Sequence, residues 1–253
     1  MKKILIGIPV FNCEDSLQFI IEDIQIHRKK LTKKYSIEVL YINDGSTDSS
    51  LSILKNKNCW VISHKSNLGL GVVLQRIIKE FNKKDFHYLV TLDGDGQHLI
   101  SHIEKVIKKL EMGFNLVLVS RFLRNKEYIP IDRILLNTAV KAMLSKITNL
   151  KVSDPLTGFK GYSRIILQIY KEISLTTNGY CSCIEELLYF YLITPELLNF
   201  TEISQPPIYQ SNNIRSINSK YLLIDYEKRN KIILDAMNVF SKFLIEKKIY
   251  SNY

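Results

Sequence analysis

Short β-branched runs alternate with segments of helical period through the first 120 residues, and no other feature narrows the fold of this chain as much. Runs at 3–11, 37–43, 60–63, 87–92 and 116–120 read as strands. Between them, Leu17, Ile20, Ile21 and Ile24 form one helical stripe and Ile100, Ile103, Ile107 and Leu110 another, with a third helix expected from about Gly69 to Phe81. Such alternation predicts an α/β fold, a mostly parallel sheet of nucleotide-binding type flanked by helices. Past residue 120 the pattern changes to a long helix over 134–150, a turn-rich segment at 153–158 and shorter mixed elements. No linker or repeat intervenes, so one domain over 1–220 is expected, followed by a helical tail over 221–253 with Ile233, Met237, Phe240 and Leu244 on its apolar face.

With 46% apolar and 24% charged residues in 253, the chain can bury a core, which excludes disordered and collagen-like classes. No apolar run approaches the ~20 residues that cross a bilayer. Residues 4–11 follow Lys2 and Lys3 as in a secretion signal, yet Pro9 and Asn12 cut the run short and it reads as a first strand. Cysteines at 13, 59, 181 and 183 lack framework spacing, so reduced thiols in a cytoplasmic protein are expected, with Cys181 and Cys183 serving as packing. Thirty-five basic against 25 acidic residues leave +10, which favours an anionic partner: phosphate, nucleic acid or a lipid headgroup surface.

In an open parallel sheet, ligands bind beyond the carboxyl ends of the strands. Three polar motifs fall there: Pro9-Val10-Phe11-Asn12, Asn43-Asp44-Gly45-Ser46 and Asp93-Gly94-Asp95-Gly96-Gln97-His98. Asp93 and Asp95 lie two apart after an apolar run, so a turning backbone aims both carboxylates into one pocket. Hard oxygen donors suit Mg²⁺ or Mn²⁺, which take one or two protein carboxylates and complete their shell with phosphates and water. Gln97 offers a further oxygen. The competing reading is a solvated Asp/Gly turn; an EF-hand is excluded because the loop lacks its terminal Glu. For 44–48 the competing reading is a helix N-cap by Ser46 or Thr47.

These motifs, in this order, resemble the family 2 glycosyltransferases of polyprenyl-phosphate type, typified by dolichyl-phosphate mannose synthase. The resemblance continues through Asn67-Leu68-Gly69-Leu70-Gly71, Ser120-Arg121-Phe122, Arg133, Asn137, Ser153-Asp154-Pro155-Leu156-Thr157-Gly158-Phe159, Gly179-Tyr180 and Glu185. Departures occur at Val73 and Ile77, and at Leu99, where the family carries Pro. The resemblance implies a GT-A fold, a nucleotide-diphosphate sugar donor and a divalent ion. It implies that Pro9, Phe11, Glu14 and Asp44 cradle the nucleoside, and that Asp93, Asp95 and Gln97 form the metal and diphosphate corner.

Transfer to an alcohol needs a general base, whereas a phosphate acceptor, with a second pKa near ~6, is already largely dianionic. Arginine forks match phosphate oxygens, and Arg121 and Arg133 stand where the resemblance implies that acceptor groups are held. By the same resemblance Glu185 orients an arginine or the acceptor, or serves as base, while Asp154 and Thr157 face the sugar and Arg215 closes over the donor diphosphate. Val140, Met143, Leu144 and Ile147, accompanied by Lys141 and Lys146, form a stripe suited to a membrane surface or to the core.

The expected activity is an inverting, metal-dependent transfer from a nucleotide sugar to a polyprenyl phosphate. The expected partners are donor and acceptor, a peripheral membrane contact on the cytoplasmic face and a second subunit, with no nucleic acid. The alternatives are transfer to a glycan hydroxyl, a silent nucleotide-sugar binder, and a nucleotidyltransferase, against which the motifs at 154–159 and 179–185 speak.

Overall fold

The computed structural model describes residues 1–124, 129, 131–171, 173, 175–177, 179–206 and 226–250. The order of elements is β1 (Lys2–Val10), α1 (Glu14–Leu31), β2 (Tyr35–Asn43), α2 (Ser50–Asn56), β3 (Trp60–Ser63), α3 (Leu70–Asn82), β4 (Tyr88–Thr91), α4 (His102–Glu111), β5 (Leu116–Ser120), α5 (Ile131–Thr148), β6 (Lys160–Ser163), α6 (Arg164–Leu167), α7 (Ser182–Ile193), β7 (Phe200–Ser204) and α8 (Tyr226–Tyr250). All five expected strands are present, and the two stripes on α1 and α4 are buried as expected.

The seven strands lie in the order β3-β2-β1-β4-β6-β5-β7. Strand β1 pairs in parallel with β2 and β4, and β5 in parallel with β7, while β6 runs antiparallel between β4 and β5. The order turns outward in both directions from β1 and β4, which opens a crevice at their carboxyl ends. Two apolar cores sandwich the sheet: one under α1 and α4, the other under α3, α5, α7 and α8.

Two strands were not among those expected: β7 at the edge of the sheet, and the antiparallel strand β6. Its Lys-Gly-Tyr-Ser run lacks β-branched residues, yet all four residues are buried. Lys160 is tolerated inside because Glu186 of α7 lies 2.5 Å from its Nζ, and Tyr162 and Tyr170 donate to the same carboxylate.

Packing decides between the two readings of the stripe on α5 and corrects the expected face of α8. Val140 and Leu144 belong to the core and Met143 and Ile147 pack against it, so that stripe is not a membrane face. The exposed apolar side of α5 is instead Ile131 and Leu135, at 68% and 63% exposure. On α8 the buried residues are Ala236, Val239, Phe240 and Phe243; of the expected face only Phe240 is inside. The expected boundary at 220/221 lies outside the described residues, but α8 packs on α5 and α7 and shares their core. Among the described residues no helix is long and apolar enough to cross a membrane.

Candidate active site

The loops after β1 and β2 are zipped together by hydrogen bonds. Asn12, at φ 50°, donates its N–H to Ser46 Oγ at 3.0 Å and accepts from Thr47 N–H at 2.8 Å. Glu14 N–H donates to Asp48, and Glu14 Oε2 accepts from Ser49 N–H at 2.9 Å. The start of α2 is therefore covered by Asp48, whose Oδ1 takes Ser50 N–H at 3.0 Å, and by Glu14, rather than by Ser46 or Thr47.

Asp44 ends this pair of loops, buried. Its Oδ1 meets His64 Nδ1 at 2.7 Å and Leu68 N–H at 3.1 Å, and its Oδ2 accepts Gly69 N–H at 2.8 Å. Gly45 sits at φ +67°, and a Cβ there would fall 2.3 Å from the Ser66 backbone, so only glycine lets the 64–69 loop close over Asp44.

The loop after β4 carries the two aspartates. Gln97 N–H bonds Asp95 Oδ1 at 3.0 Å, which bends the chain so that both carboxylates face one cleft. Gln205, just past β7, grips the loop from both sides, donating to Gln97 O at 2.9 Å and accepting from Leu99 N–H at 3.2 Å. His98 Nε2 lies 3.0 Å from Asp93 Oδ2. Burial works to raise the Asp93 carboxyl, but the His98 contact, followed by Arg121 and Lys160, holds it below its ordinary range. At Asp95 burial and then the Asp93 charge push the same way, and its pKa is raised.

Pro9, Phe11, Asp44, Asp93 and Asp95 line a cleft of about 360 Å³ together with Asn67, Gly69, Gly179 and Tyr180. Glu14, Gln97, Arg121, Arg133 and Glu185 are not part of that lining. Glu14 is spent on the 46–50 loop, and the Gln97 Oε1 expected to face a metal lies 3.3 Å from Arg133 Nη1. Arg121 forms a forked pair with Asp154, Nε at 2.8 Å and Nη2 at 3.0 Å. Asp154 and Thr157, expected to face the sugar, are fully buried; Thr157 Oγ1 donates to Val119 O and accepts Phe159 N–H.

Glu185 is also corrected. Its carboxylate accepts Thr176 N–H, Thr176 Oγ1, Thr177 N–H and Thr177 Oγ1 at 2.7–3.0 Å. Burial would raise its pKa, but these bonds from Thr176 and Thr177 outweigh burial and lower it. A carboxylate with all its lone pairs engaged anchors the 175–177 segment and is poorly placed to take a proton. Arg215 lies outside the described residues.

Among the described residues no group of three or more His, Cys, Asp and Glu forms a closed metal site. The Asp93/Asp95 pair nevertheless fits a cation of Mg²⁺ or Mn²⁺ type: two crowded carboxyls, one of them pushed up by the other, are relieved by a divalent charge whose shell is completed by phosphates and water. His64, His98 and Gln205 were not singled out from sequence. Only His98, adjoining the aspartate motif, carried a local signal.

A parallel sheet interrupted by one antiparallel strand, with an Asp-x-Asp loop at the crevice, is the GT-A arrangement. The chain matches the family described as Glycosyl transferase family 2 over residues 5–170 and belongs to it. Among its relatives is an undecaprenyl-phosphate 4-deoxy-4-formamido-L-arabinose transferase of Photorhabdus laumondii, 29% identical over 66% of this chain and 51% of that protein. Another is a UDP-N-acetylglucosamine–dolichyl-phosphate N-acetylglucosaminyltransferase of Methanococcus voltae, 24% identical over 82% of this chain and 86% of that protein. The chain spans about half the length of the arabinose transferases it matches. Glucosyl-3-phosphoglycerate synthase from Mycobacterium tuberculosis, solved with Mn²⁺, UDP and phosphoglyceric acid, shares the fold with a TM-score of 0.64 at 16% identity, over 94% of this chain and 78% of that one.

Proposed function

We propose that this chain transfers a sugar from a nucleoside-diphosphate donor to a polyprenyl phosphate, with inversion at the anomeric carbon and with Mg²⁺ or Mn²⁺ bound at Asp93 and Asp95. The observation that carries the reading is the convergence of Asp44, Asp93 and Asp95 on one cleft, with Arg133 reaching the acidic loop through Gln97. The relatives in Photorhabdus laumondii and Methanococcus voltae are named for undecaprenyl- and dolichyl-phosphate acceptors, which supports the acceptor class.

The cleft divides the work. Pro9 and the exposed ring of Phe11 offer a face for the nucleoside base. Asp44 keeps the 64–69 loop closed beside it and has little acceptor capacity left for the ligand. Asp93 and Asp95 would hold the cation, which would supply positive charge against that of the donor diphosphate. Arg121 and Arg133 seat the acceptor phosphate, Arg121 oriented by Asp154. An oxygen of the dianionic acceptor attacks the anomeric carbon as the bond to the donor diphosphate breaks, and no proton has to be removed. The engagement of Glu185 by Thr176 and Thr177 supports a route without a carboxylate base. In this reading the exposed Ile131 and Leu135, one turn apart on the first turns of α5, rest on the lipid surface that holds the acceptor.

The test is transfer from radiolabelled UDP- and GDP-sugars, with Mn²⁺, to lipid extracted from membranes. An organic-extractable product labile to mild acid is expected, abolished by EDTA and by Asp95→Ala. Product only on water-soluble glycan would overturn the acceptor assignment, and binding without transfer would overturn the activity.

A further inference from the structure

One buried imidazole beside the cleft has a single polar task. His98 is 4% exposed, its Nε2 lies 3.0 Å from Asp93 Oδ2, and its Nδ1 is buried with no hydrogen-bond partner. The ring otherwise packs edge-on against Phe159, with centroids 5.2 Å apart. A carboxylate accepts, so Nε2 donates to Asp93, while Nδ1 is a buried polar atom without a partner, and such uncompensated burial costs about 1–3 kcal/mol. A phenyl ring would fill the same space and keep the Phe159 contact without that cost. Packing therefore does not explain a histidine here; the contact with Asp93 does.

A second neighbour confines the same carboxylate. A Cβ built on Gly158 would fall 2.4 and 2.6 Å from the two Asp93 oxygens, so the carboxylate lies against a bare Cα. That backbone is itself held, because Gly158 O accepts from Thr91 Oγ1 at 2.9 Å. Asp93 is confined by an N–H donor and by a fixed peptide, with one oxygen committed to the protein.

We infer that His98 is a positioning residue of the acidic corner: by fixing the Asp93 carboxylate against Gly158 it sets the affinity for the divalent cation without touching it. Partners of this kind around ligating groups typically govern metal affinity by their effect on ligand orientation and basicity. The inference rests on the cation reading of Asp93 and Asp95 given above.

The experiment titrates the full chain with Mn²⁺ and reads free Mn²⁺ by electron paramagnetic resonance, with UDP or GDP present at fixed concentration, alongside a thermal melt. His98→Phe is expected to melt at or above the wild-type temperature and to bind Mn²⁺ roughly 10–100-fold more weakly. His98→Gln, whose amide reaches the position of Nε2, should restore affinity to within about threefold, whereas His98→Asn, whose donor falls short, should not. A folded Phe variant that binds Mn²⁺ like the wild type overturns the inference, as does a Gln variant no better than Asn. The Gln and Asn pair decides the matter if the Phe variant fails to fold. A wild-type chain that takes up no Mn²⁺ with either nucleotide overturns the cation reading itself, and this inference with it.

Discussion

Replacing Glu185 separates an anchoring carboxylate from a catalytic base. Four donors converge on it, two of them backbone N–H groups that cannot turn away. Hydrogen bonds to a charged group contribute about 1.5–3 kcal/mol each. Thr176 is exposed and Thr177 half-buried, so water recovers much of that when the acceptor is lost, leaving a net cost for Glu185→Ala of about 2–4 kcal/mol. For a chain of this size such a loss lowers the melting temperature by on the order of 4–16 °C. Glu185→Gln keeps one acceptor oxygen but turns an N–H₂ toward the other donors. The Thr hydroxyls can rotate to accept while a backbone N–H is stranded, for about 1–3 kcal/mol. Because the pKa of Glu185 is lowered in the fold, its contribution is present above the unfolded carboxyl pKa of about 4.3 and disappears as pH falls through the lowered folded value. The wild-type advantage over Glu185→Gln in melting temperature should therefore shrink on acidification. Calorimetry at several pH values, with transfer assayed on the same samples, checks this. A Gln variant that melts with the wild type while losing a thousandfold or more in kcat, toward the upper end of general-base effects, would refute the anchoring argument and restore the hydroxyl-acceptor mechanism.

The buried pair beneath the cleft makes a second case. Lys160→Met strands the Glu186 carboxylate and should cost about 3–5 kcal/mol, whereas adding Glu186→Gln, which removes the charge but keeps polar partners for Tyr162 and Tyr170, should return part of it; equal melting of the single and double variants would contradict this. Arg133→Ala removes one phosphate fork, a loss of about 1.5–3 kcal/mol, and should raise KM for the lipid acceptor roughly 10–150-fold with little change in donor binding measured by calorimetry. Ile131→Glu combined with Leu135→Glu should weaken co-sedimentation with anionic vesicles by about tenfold or more, since each exposed side chain contributes on the order of 1–2 kcal/mol when buried in lipid. Sedimentation unchanged from the wild type would remove the lipid-facing assignment.

The donor half of the molecule was legible in the sequence because local patterns and tertiary placement agree there. The apolar run of β1 and the stripe at Leu17, Ile20, Ile21 and Ile24 have one way to pack, and the polar residues that follow each strand share one edge. Strand β6 was hidden because its burial depends on Glu186, 26 residues away, and no local pattern marks a lysine that will be neutralised at that distance. On α8 the sets 233/237/240/244 and 236/239/240/243 both satisfy a helical period. Only contact decides between them, and Cys181 Sγ against Ile232 O brings the helix in on the side of its small residue, Ala236. Glu185 was read as aimed at ligand by resemblance and Gln97 by its place beside the aspartates, and neither motif nor spacing reveals which partner a side chain has chosen. Gln205 gave no warning at all: it reaches the acidic loop from 108 residues further along the chain.

The excursion from Arg121 to Ser153 leaves the sheet and returns almost to its point of departure. Ser120 and Ser153 touch hydroxyl to hydroxyl at 2.6 Å, and Arg121 N–H is fastened to Asp154. Such a pinched neck fixes both ends of what lies between. Val140 and Leu144 within that excursion lie in the shared core and α5 packs on α8, so a graft joined across the two serines would keep β5 and β6 in register only if it rebuilt that apolar face along with whatever new recognition it brought.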